Sequence, residues 1–389
     1  MKHIFLSIIC LCLFSCSKKK VDQPEAKNPI NKEAPQPAKE EPKDAATEKE
    51  GPVDKDKEAG ADKEAKVPEK AKTFKSLVDQ STRLESLASL DRGRLYLLES
   101  QKKNGSWSDH PGITAMACVA LLNERAGIDQ AVFEKAFDFI RSKISKKGAV
   151  QYKAEEDLYS SAVCLYALLI DNKKEDAEQI NKLSGYLVRS TQSSGFSYAA
   201  AKDSDLSNTH WAIEAIALQE TRDSKSKQNP IFWKKIRAFV KSCQLESGAF
   251  TYYPVDKRPE NPEHPELVQK EIASLSLGAL KSLNHASAKK DSVEIKKGFD
   301  WFNKNFSVKE NSGLKDGGLY YYYYMLSSTM NKYTVKYINK SNWRKQLLIE
   351  LLGKQKGDGN WVNQNKLWLE NDPVLCTSYA IIAMEIALW

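Results

Sequence analysis

Residues 92–107 read RGRLYLLESQKKNGSW, and this stretch ends with Gln101, Gly105 and Trp107 at the spacing Q-x-x-x-G-x-W. The spacing recurs twice further along the chain, once with Trp and once with Phe as its aromatic residue. Three looser copies keep the glycine and the apolar or aromatic residues after it. The closer copies lie at 355–361 and 244–250, and the looser ones at 146–152, 192–198 and 315–321. Such self-similarity indicates a chain built from repeated units.

One glycine in each copy marks a unit, and successive marker glycines are 43, 47, 53, 70 and 41 residues apart. Units of this length accommodate two helices and their connections. The chain therefore contains six units, with the longest insertion between the fourth and the fifth. The marker glycines are Gly105, Gly148, Gly195, Gly248, Gly318 and Gly359.

Two kinds of helix alternate through these units. Segments such as KAFDFIRSKI (135–144) are apolar on one face only, which is typical of an outer helix. Segments such as ITAMACVALL (113–122) are apolar on every face, which requires protein on every side. Six outer and six inner helices that close into a ring would bury the inner ones completely. The sequence thus predicts an all-α (α/α)6 toroid over residues 74–389.

The motif at 92–107 resembles the full QW motif of squalene-hopene cyclases, R-G-x-x-Y-L-x-x-x-Q-x-x-x-G-x-W. Residues 297–301 match its first half as K-G-x-x-W, and residues 355–361 match its second half. The chain from residue 74 onward is therefore similar to the terpenoid cyclase and protein prenyltransferase superfamily. That resemblance implies the same toroid, in which the Gln caps helix ends and the aromatic ring stacks beneath it. It says little about function.

The acid motif of the squalene-hopene cyclases is D-x-D-D-T, and its middle Asp protonates an alkene. Aligned on that motif, residues 205–209 read DLSNT, with Ser207 and Asn208 where two of the acids would stand. A serine hydroxyl cannot protonate an alkene. We therefore expect that this chain has lost the cyclase acid and assign no catalytic residue. The remaining candidates for catalysis are Asp203, Asp205 and His210.

The protein prenyltransferases bind zinc through Asp, Cys and His. Here Cys376 stands where their His would be in the context of Asp372, and Asp316 has no Cys nearby. One acid and one thiol do not make a four-ligand zinc site, so we predict neither metal nor cofactor. Complement-type thioester domains need Cys-Gly-Glu-Gln and are excluded, because no Cys precedes a Gly. Similarity to toroidal polysaccharide lyases remains an alternative, since their active-site residues are scattered along the chain and form no sequence motif.

Five acids precede inner helices or stand at their starts: Asp109, Asp157, Asp205, Asp316 and Asp372. Asp at such a position commonly caps the helix, but the same acids could frame the mouth of a central cavity. The insert at 252–269 is Pro-rich and should overhang that rim, with His264 in solvent. The candidates for ligand binding are Asp109, His110, Asp205, His210, Trp211, Tyr320, Tyr324 and Asp372.

The N-terminal residues 1–15 have the apolar run of a signal peptide, too short to span a membrane. Residues 13–16, LFSC, resemble the lipobox of bacterial lipoproteins, which implies cleavage before Cys16 and lipidation of that residue. An ordinary signal peptide is the alternative. Residues 16–73 are rich in Lys, Glu, Pro and Ala and contain no aromatic residue before residue 74. This composition predicts a disordered tether.

The formal net charge is +8, but no basic-aromatic motif indicates nucleic-acid binding. Ser17 does not provide the Asp that retains lipoproteins at the inner membrane, so the resemblance favours the periplasmic face of the outer membrane.

Four cysteines lie in the toroid region: Cys118, Cys164, Cys243 and Cys376. Three of them lie in apolar stretches of sequence, and we expect these to be buried free thiols. A disulfide between repeats stays open, since an envelope compartment is oxidising.

These observations predict a lipid-anchored envelope protein whose partners are the membrane and an unidentified envelope ligand. We expect a binding protein, with a peptide, a glycan or a lipid-like molecule in the cavity of the toroid. The alternative is an enzyme with an unrecognised active site at the rim, similar to a terpenoid cyclase or a polysaccharide lyase. The sequence favours a protein that is not an enzyme, because the cyclase acid motif and the prenyltransferase zinc ligands are both missing.

Overall fold

The computed structural model describes residues 77–153, 155–191, 195–198, 202–257, 259–260 and 262–389. The predicted signal peptide (1–15), Cys16 and the tether (16–73) lie outside these residues. Within the described ranges, no helix is both long enough and apolar enough to span a membrane.

Twelve α helices alternate between an outer and an inner set along the described residues. The outer helices are α1 (Gln80–Glu99), α3 (Gln130–Ser142), α5 (Ala177–Arg189), α7 (Pro230–Ser242), α9 (Val293–Asn305) and α11 (Trp343–Lys354). The inner helices are α2 (Pro111–Leu122), α4 (Leu158–Asp171), α6 (Leu206–Arg222), α8 (Ala273–His285), α10 (Leu319–Lys332) and α12 (Pro373–Leu388). A short antiparallel hairpin, β1 (Val150–Tyr152) and β2 (Glu155–Asp157), joins α3 to α4.

The inner helices form a closed ring, in which each packs against the next and α12 packs against α2. Every residue of α2 is buried, whereas α5 buries only Leu183, Ser184 and Leu187. This contrast is expected between a helix that is apolar on every face and a helix that is apolar on one face only. The predicted all-α toroid of six outer and inner pairs is confirmed.

In three of the units, the repeated Gln joins its turn to the next outer helix. Gln101 donates through Nε2 to the carbonyl oxygen of Gly105 at 3.0 Å and to that of Val132, in α3, at 2.9 Å. The indole N–H of Trp107 donates to the carbonyl oxygen of Leu97 at 2.7 Å, at the end of the preceding helix. Equivalent bonds from the repeated Gln occur at Gln244 and Gln355. The motif is therefore a structural link between repeats.

The repeated glycine is required by close approach of two backbones. Gly105 has φ of +84°, and a Cβ there would lie 2.2 Å from the carbonyl oxygen of Lys135 in α3. No side chain fits such a position, and the left-handed backbone is itself costly for other residues. The same approach to the next outer helix occurs at Gly148, Gly248 and Gly359.

Local side chains cap four of the inner helices. Asp157, Asp205 and Asp372 accept backbone N–H bonds at the starts of α4, α6 and α12, as expected of Asp at N-cap. At α2 the cap is His110, whose Nδ1 accepts from the backbone of Gly112 at 3.1 Å. Asp109 is not the cap: it is exposed and pairs with Lys102. The cap expected at Asp109 is thus supplied by its neighbour in sequence.

Side chains from other units cap the remaining two inner helices. At α8, Asn311 accepts the backbone N–H of Ser274 at 3.0 Å. At α10, Glu370 accepts the backbone N–H of Tyr321 at 2.7 Å. The expected cap Asp316 is exposed, because Gly318, with φ of +60°, occupies the N-cap position of α10. The interpretation of Asp316 as a cap is therefore wrong.

The four cysteines in the described residues are Cys118, Cys164, Cys243 and Cys376, and each is a buried free thiol. Burial raises the pKa of all four. The thiols are therefore neutral parts of the core.

Candidate functional site

A cavity of about 360 Å³ lies inside the ring, at the N-terminal ends of the inner helices. Five of the six inner helices contribute to its wall from their first two turns, and three loops contribute its roof. The wall residues are Ile113, Tyr159, Ser207, Trp211, Tyr321, Leu375 and Tyr379. The roof residues are Tyr198, Glu263, His264, Glu266 and residues 366–369. This size falls within the range of sites for small molecules.

Aromatic rings form much of the cavity wall, and Tyr324 stacks behind two of them. Trp211 stacks parallel to Tyr324 at 5.4 Å between ring centres, and Tyr324 stacks on Tyr379 at 5.7 Å. The hydroxyls of Tyr159 and Tyr379 are 3.2 Å apart. Burial raises the pKa of Tyr159, Tyr321 and Tyr379, so these phenols stay neutral. The wall is therefore rigid, uncharged and mostly apolar.

Trp368 forms a central part of the roof. Its ring meets Tyr321 edge to face at 5.4 Å and stacks on Tyr252 at 6.2 Å. Trp368 and Leu369 have φ of +53° and +63°, a left-handed conformation that is uncommon for such residues. Backbone strain of this kind persists only where the surroundings hold it, and it is frequent at functional sites.

The insert at 252–269 overhangs the rim as expected, because Glu263, His264 and Glu266 line the cavity. His264 was expected to lie in solvent but is only partly exposed. Its side chain is 21% exposed and its Nδ1 lies 3.0 Å from Glu266. Its ring also packs against Tyr198 and Tyr252. This aromatic packing explains why the histidine ring is partly shielded from solvent.

Asp205 is buried behind the cavity rather than in its wall. Its carboxyl oxygens accept from the backbone and the side chain of Asn208, both at 2.8 Å, and it also hydrogen-bonds to Tyr252. Burial raises the pKa of Asp205 to about 7. The Tyr252 hydroxyl lies 3.4 Å from that of Tyr198, which does line the cavity. Two phenols thus connect this carboxyl to the cavity.

His210 lies in the packed interior of α6, outside the cavity lining. Its Nδ1 is 3.4 Å from the hydroxyl of Ser282, and burial lowers the pKa of the imidazole to about 3. One turn further along α6, Glu214 binds Lys281 at 3.0 Å and His285 at 2.8 Å. His210 is therefore a neutral core residue beside a buried ion-pair cluster.

Of the eight residues predicted to bind ligand, Trp211 lines the cavity. Tyr324 stacks directly behind it, and Tyr320 packs edge to face against Tyr323. The other five are Asp109, His110, Asp205, His210 and Asp372, which lie outside the lining. Asp203, the further catalytic candidate, is half-buried in the loop before α6 and is also outside it.

Sequence reasoning missed Tyr159, Tyr321, Tyr379 and Trp368 as lining residues. A signal existed for the three tyrosines: each lies within the first two turns of an inner helix, where the wall forms. No comparable signal existed for Trp368, whose position depends on a left-handed backbone that its sequence does not favour.

The prenyltransferase-like zinc position holds a core thiol. Cys376 donates through Sγ to the carbonyl oxygen of Glu370 at 3.0 Å. Among the residues that the structure describes, no three His, Cys, Asp or Glu side chains group in a way that could hold a metal ion.

Comparison with known protein families supports the toroid fold. The prenyltransferase alpha-alpha toroid domain matches the chain in overlapping segments, at residues 62–256, 158–282 and 185–340. No curated protein has a matching sequence.

Solved structures with the same fold include enzymes of different chemistries. The type II terpene cyclase MstE from Scytonema, in complex with merosterolic acid A, is 12% identical with a TM-score of 0.55, over 79% of this chain and 98% of that one. The GH76A α-1,6-mannanase from Salegentibacter is 13% identical with a TM-score of 0.58, over 78% and 99%. An α-amylase from Clostridium perfringens is 13% identical with a TM-score of 0.53, over 79% and 99%.

At such low identity these structures support a common fold and carry no information on substrate. The family match covers most of the toroid, and the closed ring of helix pairs and the Gln–Gly links between repeats agree with it. The chain belongs to the prenyltransferase alpha-alpha toroid domain family.

Proposed function

We propose that this toroid is a membrane-tethered binding protein that holds the apolar part of a lipid-like ligand in its central cavity. The observation that carries the proposal is the cavity wall, which the inner helices build from aromatic and aliphatic side chains. Among the lining residues, every charged side chain belongs to a roof loop: Glu263, Glu266 and Lys366. A ligand with an apolar body and a polar end at the mouth fits this distribution.

The polarity of the wall favours a lipid-like ligand over a glycan or a peptide. A buried sugar needs hydrogen-bond partners for its many hydroxyls, and a peptide needs them for its backbone. The wall offers the hydroxyl of Ser207, which hydrogen-bonds to that of Tyr321, and the phenols of Tyr159 and Tyr379, which lie within reach of each other. Stacked rings beside aliphatic groups suit a hydrocarbon instead.

Binding without turnover is supported by Ser207. It is the residue aligned with the proton donor of the cyclase motif, and it lines the cavity. Its hydroxyl cannot protonate an alkene. We therefore propose that the toroid has lost the cyclase acid and has kept the cavity.

The tether and the location are part of the same proposal. Cleavage before Cys16 and lipidation of that residue would anchor the toroid through residues 16–73. Several acyl chains hold a protein stably at a membrane, whereas one chain does not. We assign the anchor to the periplasmic face of the outer membrane, because Ser17 is not a retention signal.

Equilibrium dialysis tests the binding proposal. The probes are β-ethylnaphthalene as a hydrocarbon, a linear mannan oligosaccharide and a mixed-sequence peptide. We expect the hydrocarbon to bind and Trp211→Ala to weaken it by about tenfold or more, since a buried Trp contributes a large apolar area. Trp233→Ala is the control, because Trp233 lies on the outer helix α7. Binding of the oligosaccharide or the peptide without the hydrocarbon would refute the lipid-like assignment.

A second candidate, an enzyme that uses Asp205 as a general acid or base, is favoured by the state of this carboxyl. Its pKa of about 7 keeps much of this carboxyl protonated near neutral pH, and Tyr252 and Tyr198 connect it to the cavity. Incubation with a linear isoprenoid alcohol tests for cyclised products, and incubation with envelope polysaccharides tests for unsaturated sugars. Either product, lost in Asp205→Asn, would establish catalysis and overturn a pure binding role.

A further inference from the structure

Two phenols that line the cavity meet at one point inside the ring. The hydroxyl oxygens of Tyr159, in α4, and Tyr379, in α12, lie 3.2 Å apart. Their helices are not neighbours in the ring, because α2 stands between them and packs against both. The Tyr159 ring lies against Gly112 of α2, where a Cβ would be 3.2 Å from it. Since both side chains line the cavity, their hydroxyls meet in front of the inner face of α2.

Neighbouring rings hold the two phenols in place. Tyr159 packs edge to face against Trp211, with 6.1 Å between the ring centres. Tyr379 stacks on Tyr324, with 5.7 Å between the ring centres. Aromatic packing of this kind leaves a side chain little freedom to move. The two hydroxyls therefore form a preorganised polar pair in a mostly apolar wall.

The hydrogen-bonding capacity of this pair is only partly used. Each hydroxyl has one hydrogen to donate and two lone pairs to accept with. Among the residues that the structure describes, neither hydroxyl has a partner other than the opposite one. One phenol therefore donates to the other, and the second hydrogen has no acceptor. At 3.2 Å this bond is also longer than the usual distance of about 2.7–2.8 Å between two hydroxyl oxygens.

The surroundings of the pair favour an uncharged partner. Burial raises the pKa of both phenols, and the nearby acids Asp157 and Glu370 raise the pKa of Tyr159 and that of Tyr379 further. The same negative potential would repel a carboxylate or a phosphate. A buried anion also needs a cation, and none of the lining residues in the wall is one.

We infer that the lipid-like ligand carries an uncharged hydroxyl group, which accepts a hydrogen bond from one phenol of the Tyr159–Tyr379 pair and donates one to the other. This inference rests on the proposed function, because it concerns the ligand of the same cavity. The pair offers an unused hydrogen and unused lone pairs side by side, and a hydroxyl complements both. A carbonyl or an ether oxygen would use the hydrogen alone.

The test compares three probes that differ in one group: β-(1-hydroxyethyl)naphthalene in its tighter-binding enantiomer, the ketone β-acetylnaphthalene and the hydrocarbon β-ethylnaphthalene. Equilibrium dialysis measures their affinities. We expect wild-type protein to bind the alcohol about tenfold and the ketone about threefold more tightly than the hydrocarbon, since the alcohol makes two bonds with the pair and the ketone makes one.

The variants Tyr159→Phe and Tyr379→Phe test whether the two hydroxyls act together. In either one, a single hydroxyl remains and can form one bond with either polar probe. The preference for alcohol over hydrocarbon should therefore fall to about threefold, while the preference for ketone over hydrocarbon stays at about threefold. The double variant should lose both preferences. Hydrocarbon affinity should change little, because each Phe keeps the aromatic ring.

Matched controls remove a tyrosine hydroxyl elsewhere in the toroid. Tyr322→Phe and Tyr333→Phe are suitable, since these hydroxyls donate to the carbonyl oxygens of Ser307 and Leu280, outside the cavity lining. Both controls should keep the wild-type preferences.

The outcomes separate this inference from the proposed function. If wild-type protein binds the ketone or the hydrocarbon as tightly as the alcohol, the ligand hydroxyl is refuted while hydrocarbon binding stands. An unchanged ratio of alcohol to ketone affinity in both single variants would also overturn the inference, because the pair would not be the site. Failure of the hydrocarbon to bind at all would refute the proposed function itself.

Discussion

Glu370 caps the helix that carries Tyr321, although the two residues are 49 positions apart in sequence: the carboxyl accepts the Tyr321 backbone N–H at 2.7 Å. The other carboxyl oxygen accepts from the side chain of Asn363 at 2.8 Å. Burial raises the pKa of Glu370 to about 7. The position of Tyr321 in the cavity wall therefore depends on the loop that also carries Trp368.

Glu370→Ala should lower the free energy of unfolding by about 2–3 kcal/mol, because it leaves backbone N–H groups of α10 buried without partners and removes one of the two bonds that the Asn363 amide donates. The control is Asp316→Ala, at the exposed acid nearest to the same helix start, which should cost less than about 0.5 kcal/mol. Urea unfolding measures both. Equal costs would show that Glu370 is not the cap on which the helix depends.

Gly105→Ala should destabilise the toroid by about 2 kcal/mol or more, since the new Cβ would meet the Lys135 carbonyl at 2.2 Å on a left-handed backbone. Gly127→Ala is the matched control, because nothing lies within 4 Å of a Cβ built there. The midpoint of urea unfolding measures the difference. A Gly105→Ala variant as stable as its control would contradict the close approach of repeats.

Asp205 should make stability depend on pH. Because its folded pKa is raised from 3.8 to about 7, its contribution is fully present below the unfolded value and is lost as pH rises through the folded value. Between about pH 5 and about pH 8, wild-type protein should lose on the order of 3 kcal/mol more than Asp205→Asn. Urea unfolding at both pH values measures this. Parallel pH profiles for the two proteins would mean that the carboxyl titrates normally.

Cys16→Ala should release the protein from membranes, because the proposed lipid anchor has no other attachment point. Ser17→Ala is the control and should stay bound. Fractionation of cells into soluble and membrane pools, followed by an immunoblot, measures the distribution. An unchanged membrane fraction in Cys16→Ala would rule out the lipid anchor.

The fold could be predicted because its determinants repeat locally in the sequence. The spacing of Gln101, Gly105 and Trp107 specifies a turn and its contacts with the next outer helix, and each further copy repeats that information. Apolar-all-round segments such as 113–122 identified the inner helices. The same locality explains the caps at Asp157 and Asp372, which act on the helices that directly follow them.

The caps at Asn311 and Glu370 could not be predicted, because they depend on which unit lies beside which in the closed ring. Asp109 and Asp316 have the right spacing for caps, but a neighbouring residue occupies the N-cap position in each case. Tyr379 could have been assigned to the cavity from its place in the inner helix. Trp368 could not, since its left-handed backbone is favoured by glycine and not by tryptophan.

The closed ring also means that the point at which the chain begins and ends within it is arbitrary. Arg83, in the first turn of α1, donates to the carbonyl oxygen of Leu388 at 2.9 Å, and its guanidinium lies 4.0 Å from the centre of the Trp389 ring. A short peptide could therefore join these two regions of the toroid, while new termini are opened in the exposed turn at 223–227. Such a circular permutant should fold to the same ring and keep the same cavity.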